Sequence, residues 1–449
     1  MKRLLIANRG EVVLRVLRTA KEMGLQTIVV YSEADRDMEY ISCADEAIQI
    51  GPAQPAKSYL NIEAIISAAL GWKANAIHPG YGFLSENPNF AAMCEQNGIA
   101  FIGPSSATLR TIGNKSRTKE VARSLGIPTI PGSYGVISDV EQTIIMARQL
   151  GMPVILKSLY GGGGRGMKVA YTEEQLRQQF AGASSEADAA FGRNEVYLEH
   201  YISCPRHLEV QVLADEYGGI RILSDRECSI QRRHQKIIEE APIPNIPDEV
   251  RDNLWRWSET IIRAIRFKGL GTVEFLMDKN GDIYFLEING RLQVEHPVTE
   301  MITGIDMVRE QILVAAGAKL ETTASPAIVG HAIECRVNAE NTAKNFMPTT
   351  GTISTLRLPG GPGVRVDTHL FPSCVVSPYY DPLLAKLIGH NSTREGALKR
   401  MGRMLRETLI EGLTTNIDLL LKLLANEKFL SGNGDTSLVM QLVKKQGGV

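Results

Sequence analysis

Two runs of strand-forming residues flank Asn280-Gly281, and this pattern constrains the fold more than any other stretch of the 449-residue chain. Asn-Gly between such runs predicts a two-residue hairpin, because a type I′ turn needs positive φ at both central residues. With that loop Lys279 pairs with Asp282, Glu274 falls opposite Glu287, and Thr272 falls opposite Asn289. One face then carries Val273, Phe275, Met277, Tyr284, Leu286 and Ile288 and is predicted to be buried. On the other face Leu276 and Phe285 stand between the carboxylates and the turn. Like charges directly opposite one another destabilise a sheet. Two carboxylates and an amide oxygen so placed suit a hard divalent cation such as Mg²⁺, which shares itself with substrate phosphates. From the hairpin alone, a surface ribbon with two tolerated acids explains the pair equally well.

The residues that follow favour the metal reading. If the extended conformation persists, period-two alternation puts Asn289, Arg291, Gln293 and Glu295 on one side. The planar fork of Arg291 suits a small planar oxyanion, and Glu295 beside it can act as a base. A salt-bridged edge strand would account for the charges, but not for their place beside a candidate metal site.

The length implies two or three domains. Hydrophobic content of 44% and charged content of 22% are those of a soluble globular protein. A net charge of −1 argues against nucleic acid as a partner. No apolar run reaches the length of a membrane span, and Arg9 and Glu11 end the first apolar stretch too early for a signal peptide. Six scattered cysteines without a Cys-x-x-Cys indicate neither a zinc site nor a disulfide framework, which fits a reducing cytoplasm.

Residues 1 to about 115 alternate strand and helix: strands at Arg3–Ala7, Gln26–Tyr31 and Ala74–Ile77, helices at Glu11–Met23 and near Ile62–Ala69. A helix and a short strand ending at Ile102 follow. This rhythm predicts a doubly wound parallel sheet, whose ligands lie beyond the strands' carboxyl ends. The loops Asn8–Glu11 and His78–Asn87 lie there, although the second alone reads as an ordinary turn. Capping boxes at Ser138–Glu141 and Thr172–Gln175 each start a helix. Between them, Pro153–Lys157 and Met167–Ala170 read as strands around the glycine run Gly161–Gly166. Strand, glycines and returning strand describe a flap and not a dinucleotide-binding turn, which would open a helix. Lys157 beside it favours a phosphate lid over a plain linker. Strands are predicted at Glu195–Glu199, His207–Ala214 and Gly219–Ser224, and the basic cluster Gln231–Lys236 reads as a solvated face. A helix is predicted near 248–265, an α+β unit from about 330, and mostly amphipathic helix over 394–426 before a polar tail.

These motifs together resemble the biotin carboxylase component of biotin-dependent carboxylases, within the ATP-grasp superfamily. The likeness runs from Leu4 to about Leu424. It is carried by Ile6-Ala-Asn-Arg-Gly-Glu11, His78–Asn87, Gly161–Met167, Cys228–Lys236 and Gln293-Val-Glu-His-Pro-Val-Thr-Glu300. The resemblance implies an ATP-grasp fold, preceded by a doubly wound pre-ATP-grasp domain and followed by a C-terminal α+β domain. The corresponding spans are 1–114, 115–330 with a mobile lid about 131–203, and 331–445. It implies that Lys115 and Lys157 contact nucleotide phosphates, with the lid glycines Gly163 and Gly164. His207, Gln231 and His234 help hold the nucleotide, and Glu199, His200, Tyr201 and Ile202 line the adenine site. Glu274, Glu287 and Asn289 match ligands for Mg²⁺ (or Mn²⁺). Lys236, Arg291, Gln293 and Val294 match the bicarbonate site, Glu295 the base that deprotonates bicarbonate, and Arg336 the residue that stabilises the biotin enolate.

The implied reaction is ATP-dependent carboxylation of biotin through carboxyphosphate, the first half-reaction of acetyl-CoA carboxylase or a related acyl-CoA or pyruvate carboxylase. The implied partners are a separate biotin carboxyl carrier protein, carboxyltransferase subunits and a second copy of the chain. No Met-Lys-Met tripeptide is present, so biotin is expected to arrive in trans. Asn114, Tyr160, His200 and Gly290 depart from the residues usual at those places in the family.

Overall fold

The computed structural model describes residues 1–133, 137, 139–158, 167–191 and 196–446. Ser138, Tyr160, the glycine run Gly161–Gly166 with Gly163 and Gly164, and Glu195 lie outside the described residues.

The first sheet contains β1 (Arg3–Ile6), β2 (Gln26–Ser32), β3 (Glu46–Gly51), β4 (Ala76–His78) and β5 (Ala100–Phe101), all parallel, in the order β3-β2-β1-β4-β5. β3 was not anticipated, because Glu46-Ala-Ile-Gln-Ile-Gly51 is short and half polar. Strand order reverses between β1 and β4, so the loops after them meet at the switch point. Asn8 binds them together, its amide donating to the carbonyls of Pro79 (2.7 Å) and Tyr81 (2.8 Å). Gly80, at φ +64°, lies so close that a Cβ there would come within 2.7 Å of the Asn8 amide nitrogen. Both the conformation and the approach require glycine.

A second, three-stranded sheet holds β6 (Val154–Ser158) between β7 (Lys168–Ala170) and β8 (Val196–His200), all antiparallel. The helices Val140–Leu150 and Glu173–Phe191 pack on it. The cap of the first is Asp139, whose carboxylate accepts from the Gln142 amide, one residue later than the expected capping box. Thr172 caps the second as expected, accepting from the Gln175 amide at 3.2 Å.

The third sheet is the frame of the site. Its strands are β9 (Arg206–Ala214), β10 (Ile220–Arg232), β11 (Gln235–Ala241), β12 (Gly269–Met277), β13 (Ile283–Asn289), β14 (His331–Asn338), β15 (Val364–Thr368) and β16 (Leu383–Asn391). Among the described residues they run β13-β12-β9-β10-β11-β14-β16-β15. β11 pairs with β14, Ile238 opposite Cys335, so this sheet passes without a break through the chain position 330/331. One apolar core accordingly joins the first helix to the last third of the chain.

Three expectations change. The stretch Gln231–Lys236 is the hairpin between β10 and β11, solvated only at its tip, where Arg233, His234 and Gln235 are exposed while Gln231 and Arg232 are buried, and β10 runs on to Arg232 instead of stopping at Ser224. Its interior charges obscured it. Each has a partner remote in sequence: Asp225 accepts from Arg251 (2.9 Å) and Trp255 (3.0 Å), and Arg206 donates to Glu227 (2.6 Å). Residues 394–426 are mostly helix, as expected, but in two pieces, Arg394–Glu407 and Ile417–Leu424, separated by the strand Leu409–Glu411, which pairs with Thr355–Arg357. The tail is not merely polar. It ends in the helix Leu438–Gln446, which buries Leu438 and Val439 in the core.

Candidate active site

The hairpin brings Glu274 opposite Glu287 and Thr272 opposite Asn289, as the Asn-Gly pattern predicts, but by a different route. The turn is longer than predicted. The Gly281 amide donates to the Asp278 carbonyl (3.1 Å), and of the pair only Gly281 has positive φ, at +91°. The Asp278 carboxylate accepts from the amides of Asn280 (2.8 Å) and Asp282 (2.9 Å), which favours this wider turn over type I′. The resulting one-residue offset is cancelled by a bulge between Glu274 and Phe275. The bulge also reverses the faces nearer the turn. Ile283 and Phe285 enter the core, Phe285 meeting Phe275 edge-on at 6.1 Å, while Tyr284 and Leu286 are left partly exposed. The assignment of Leu286 and Tyr284 to the buried face, and of Phe285 to the acidic one, is therefore corrected.

The acidic row is longer than two. Glu209 on β9 lies opposite Glu274, so Glu287, Glu274 and Glu209 stand side by side across three strands. Glu209 was missed, yet a signal existed: His207, Glu209 and Gln211 alternate with Leu208, Val210 and Val212. Repulsion along the row is offset by Lys236, whose ammonium donates to Glu209 (2.6 Å), Glu274 (3.0 Å) and Glu295 (2.6 Å). Arg226, fully buried, closes the other side of Glu209 and also donates to Gln211 (2.7 Å).

Past Asn289 the chain leaves the sheet. Glu295 immediately precedes the helix His296–Thr303, so strict strand alternation does not continue to it. The side chains nevertheless converge. Arg291 donates to Asn289 Oδ1 (3.2 Å), to Gln293 Oε1 (2.7 Å) and to Glu86 (2.8 Å), and Gln293 donates to Glu274 (3.3 Å). Glu86, from the loop after β4, is a further site residue that the sequence reading did not single out. Gly290 fits because a Cβ there would strike Ile112, at 2.6 Å.

Glu295 is buried between Lys236 and Arg336, the latter donating at 2.9 Å. Burial alone would raise its pKa, but Lys236, Arg336 and Arg226 outweigh it and hold the carboxyl well below the usual range. Arg336 also meets Glu239 on the neighbouring strand. Glu274 behaves alike: burial opposes ionisation, while Lys236 and His207 hold it well below normal. The amide of Gln231 donates to Nδ1 of His207 (2.6 Å), which leaves the Nε2 proton of His207 to donate to Glu274 (3.0 Å).

A cluster of lysines lies beside this row. Lys115, at the start of the helix Lys115–Ser124, pairs with Glu287 at 2.8 Å. Asn114 caps that helix by accepting from the Arg117 amide at 3.0 Å, so the Asn departure keeps the capping function. Glu199 is shared by Lys157 (2.7 Å) and Lys119 and is buried, so its carboxylate here serves the lysines. Lys119 was missed; nothing local marks a lysine whose partner lies 80 residues away. Burial, then the neighbouring Lys115 charge, pushes Lys157 down to about 7. His200 ends β8, Tyr201 and Ile202 follow it outside the strand, and the His200 ring contacts the Gly151 carbonyl at 3.3 Å. His234 stands on an exposed two-residue turn where both Arg233 (φ 48°) and His234 (φ 67°) are left-handed. Such conformations cost roughly 1–3 kcal/mol each, a cost typical of functional sites.

The donor set fits Mg²⁺ in kind. Glu274, Glu287 and Asn289 offer only hard oxygens on adjoining strand positions, beside a lysine suited to phosphate. Here those oxygens face Lys236, Lys115 and Arg291, cations or donors standing where a metal would compete. Among the described residues, His, Cys and carboxylate ligand atoms come within 4.8 Å of one another in His207–Glu209–Glu274 and in Glu209–Cys228–Glu295, and Glu287 belongs to neither group.

One prediction arises at Lys157. Phosphate oxygens placed beside a lysine held near 7 raise its pKa, because they favour the charged form. If the nucleotide phosphates contact Lys157, binding slightly above that pH takes up to about one proton, and affinity weakens as pH rises through this range. Titration calorimetry of ATP in buffers of different ionisation enthalpy measures the uptake, and identical heats in all buffers would exclude it.

Comparison with known proteins is consistent across the chain. Residues 1–109 match the family model described as biotin carboxylase, N-terminal domain. Residues 114–323 match carbamoyl-phosphate synthase L chain, ATP binding domain, and residues 334–441 match biotin carboxylase C-terminal domain. A biotin carboxylase from a Nostoc species is 47% identical, covering 98% of this chain and 99% of its own length. A Campylobacter jejuni biotin carboxylase crystallised as a βγ-ATP complex superposes with TM-score 0.96 at 46% identity, covering 98% of each chain. The biotin carboxylase domain dimer of Hydrogenobacter thermophilus 2-oxoglutarate carboxylase, solved with MgADP, ADP and bicarbonate, gives 0.95 at 44% identity, covering 98% of this chain and 97% of its own.

Proposed function

We propose, for a chain that belongs to the biotin carboxylase family of ATP-grasp ligases, the ATP- and bicarbonate-dependent carboxylation of biotin carried on a separate protein. The observation that carries this reading is Glu295, ionised and buried between Lys236 and Arg336, one short loop from Arg291 and Gln293. A base flanked by cations, next to an arginine fork, suits an anion that must lose a proton.

In this reading Lys115 and Lys157 hold the nucleotide phosphates, with lid glycines Gly163 and Gly164. His207, Gln231 and His234 hold the rest of the nucleotide, and Glu199 to Ile202 line the adenine. Glu274, Glu287 and Asn289 hold Mg²⁺, which offsets charge on the transferring phosphoryl oxygens. Lys236, Arg291, Gln293 and Val294 orient bicarbonate. The low pKa of Glu295 reflects its pairing. When Lys236 and Arg336 turn to incoming anions, Glu295 loses those partners and becomes a stronger base. It takes the bicarbonate proton, and the bicarbonate oxygen attacks the γ-phosphorus while ADP leaves. Carboxyphosphate then breaks at its C–O bond into CO₂ and phosphate. The phosphate takes the biotin N1 proton, N1 bonds to CO₂, and Arg336 balances the enolate oxygen in between. Water must be kept out, since it would hydrolyse the intermediate.

The partners are a biotin carrier protein and carboxyltransferase subunits, and the chain works as a homodimer. The described residues contain no helix long and apolar enough to cross a membrane; we place the reaction in the cytoplasm. ATP turnover measured with and without bicarbonate, and with added free biotin, tests the function. Turnover should require bicarbonate and rise with biotin; turnover indifferent to bicarbonate would overturn it.

A further inference from the structure

Lys386, on β16, is fully buried. It lies opposite Arg336 across the β14–β16 ladder. Its ammonium donates to the carbonyl oxygen of Val294 at 3.1 Å. It also pairs with Glu11 at 3.0 Å and stands 3.7 Å from Asp367. Glu11 opens the first helix of the chain and accepts from the Tyr81 hydroxyl. Asp367 is held in turn by Arg365 at 2.9 and 2.7 Å. One ammonium thus ties the start of the first helix, the last third of the chain and the segment joining β13 to the helix His296–Thr303.

We propose that Lys386 is a positioning residue for bicarbonate, acting through the peptide between Val294 and Glu295. This rests on the assignment of Val294 and Glu295 to the bicarbonate site. In a trans peptide the C=O and the N–H point in opposite directions. Anchoring the Val294 carbonyl on Lys386 therefore directs the Glu295 N–H away from Lys386. It also fixes the plane from which the Glu295 side chain departs. Glu295 lies outside the sheet, where no strand ladder orients it, so an anchor from another element is needed. Two carboxylates balance the Lys386 charge, so its contribution is direction and not field.

The test compares Lys386→Met with Glu11→Gln in the full chain, reading nucleotide Kd, and kcat and KM for bicarbonate in the ATPase reaction. Glu11→Gln removes a charge but leaves the Val294 contact, and its KM should stay within about threefold of wild type, as for substitutions that spare a site's geometry. Lys386→Met should raise KM for bicarbonate at least about tenfold, and lower kcat/KM about 10²-fold, as ångström-scale misplacement does, with nucleotide Kd unchanged. A merely structural lysine would lower kcat through the folded fraction and leave KM alone. That result, or equal KM effects in both variants, overturns the proposal. Should Lys386→Met not fold, the double variant with Glu11→Gln removes both charges and is read the same way. If the wild-type protein itself ignores bicarbonate, the functional assignment fails instead.

Discussion

Glu295→Gln is expected to bind nucleotide as the wild-type protein does and to lose bicarbonate-dependent ATP hydrolysis by roughly two to four orders of magnitude, the usual worth of a positioned base. The substitution keeps the shape of the side chain and deletes its charge. Lys236 retains Glu209 and Glu274 as partners, and Arg336 retains Glu239, so neither cation is left unpaired in the interior. The contacts assigned to nucleotide phosphates, at Lys115 and Lys157, do not involve Glu295. The pH dependence carries a second expectation. A carboxyl held below its ordinary pKa is ionised throughout the ordinary carboxylate range, and its function is lost only as pH falls through the depressed value. An acid limb in kcat/KM near neutrality must then come from another group, such as Glu239, which burial pushes up to about 7 against the pull of Arg336. Steady-state rates across pH for both proteins check this. Hydrolysis by Glu295→Gln within a few-fold of wild type would remove Glu295 from the chemistry.

How much of this was legible in the sequence differs from element to element. The pairing of Glu274 with Glu287 was readable, although through two compensating departures, a wider turn and a bulge. Neither can be read from Asn-Gly alone, since the Asp278 side chain selects the turn through hydrogen bonds to two later amides. The parallel first sheet is legible in the alternation of strand and helix except for β3, which is short and half polar. The full length of β10 is hidden in the sequence by its interior charges, which are satisfied by residues far along the chain. The same holds for Lys119, Arg226 and Lys386: a buried charge is recognised by its partner, and periodicity does not reveal partners. Roles such as that of Arg336 came from family resemblance, and the geometry adds that Arg336, Lys236 and Glu295 touch.

Glu287→Lys is expected to abolish Mg²⁺-dependent ATP binding while leaving the fold in place. Glu287 is only partly buried at the edge of the sheet, on β13, so replacing it leaves no cavity in the core. Comparable substitutions at partly exposed sites shift stability by no more than about 1 kcal/mol. The local electrostatics change far more. Lys115 loses its 2.8 Å partner and gains a like charge in the same place, and the new ammonium faces Glu274 directly across the ladder. A cation covalently fixed there pairs with Glu274 in place of a dissociable one. One of three proposed oxygen ligands disappears at the same time. Loss of a supporting group alone typically costs 10–100-fold in metal affinity, so removal of a ligand together with charge reversal should exceed about 10²-fold. Calorimetric titration with Mg-ATP, beside a thermal melt of the same preparation, makes the measurement. A folded variant that binds Mg-ATP with wild-type affinity would show that the hairpin acids serve the structure and hold no metal.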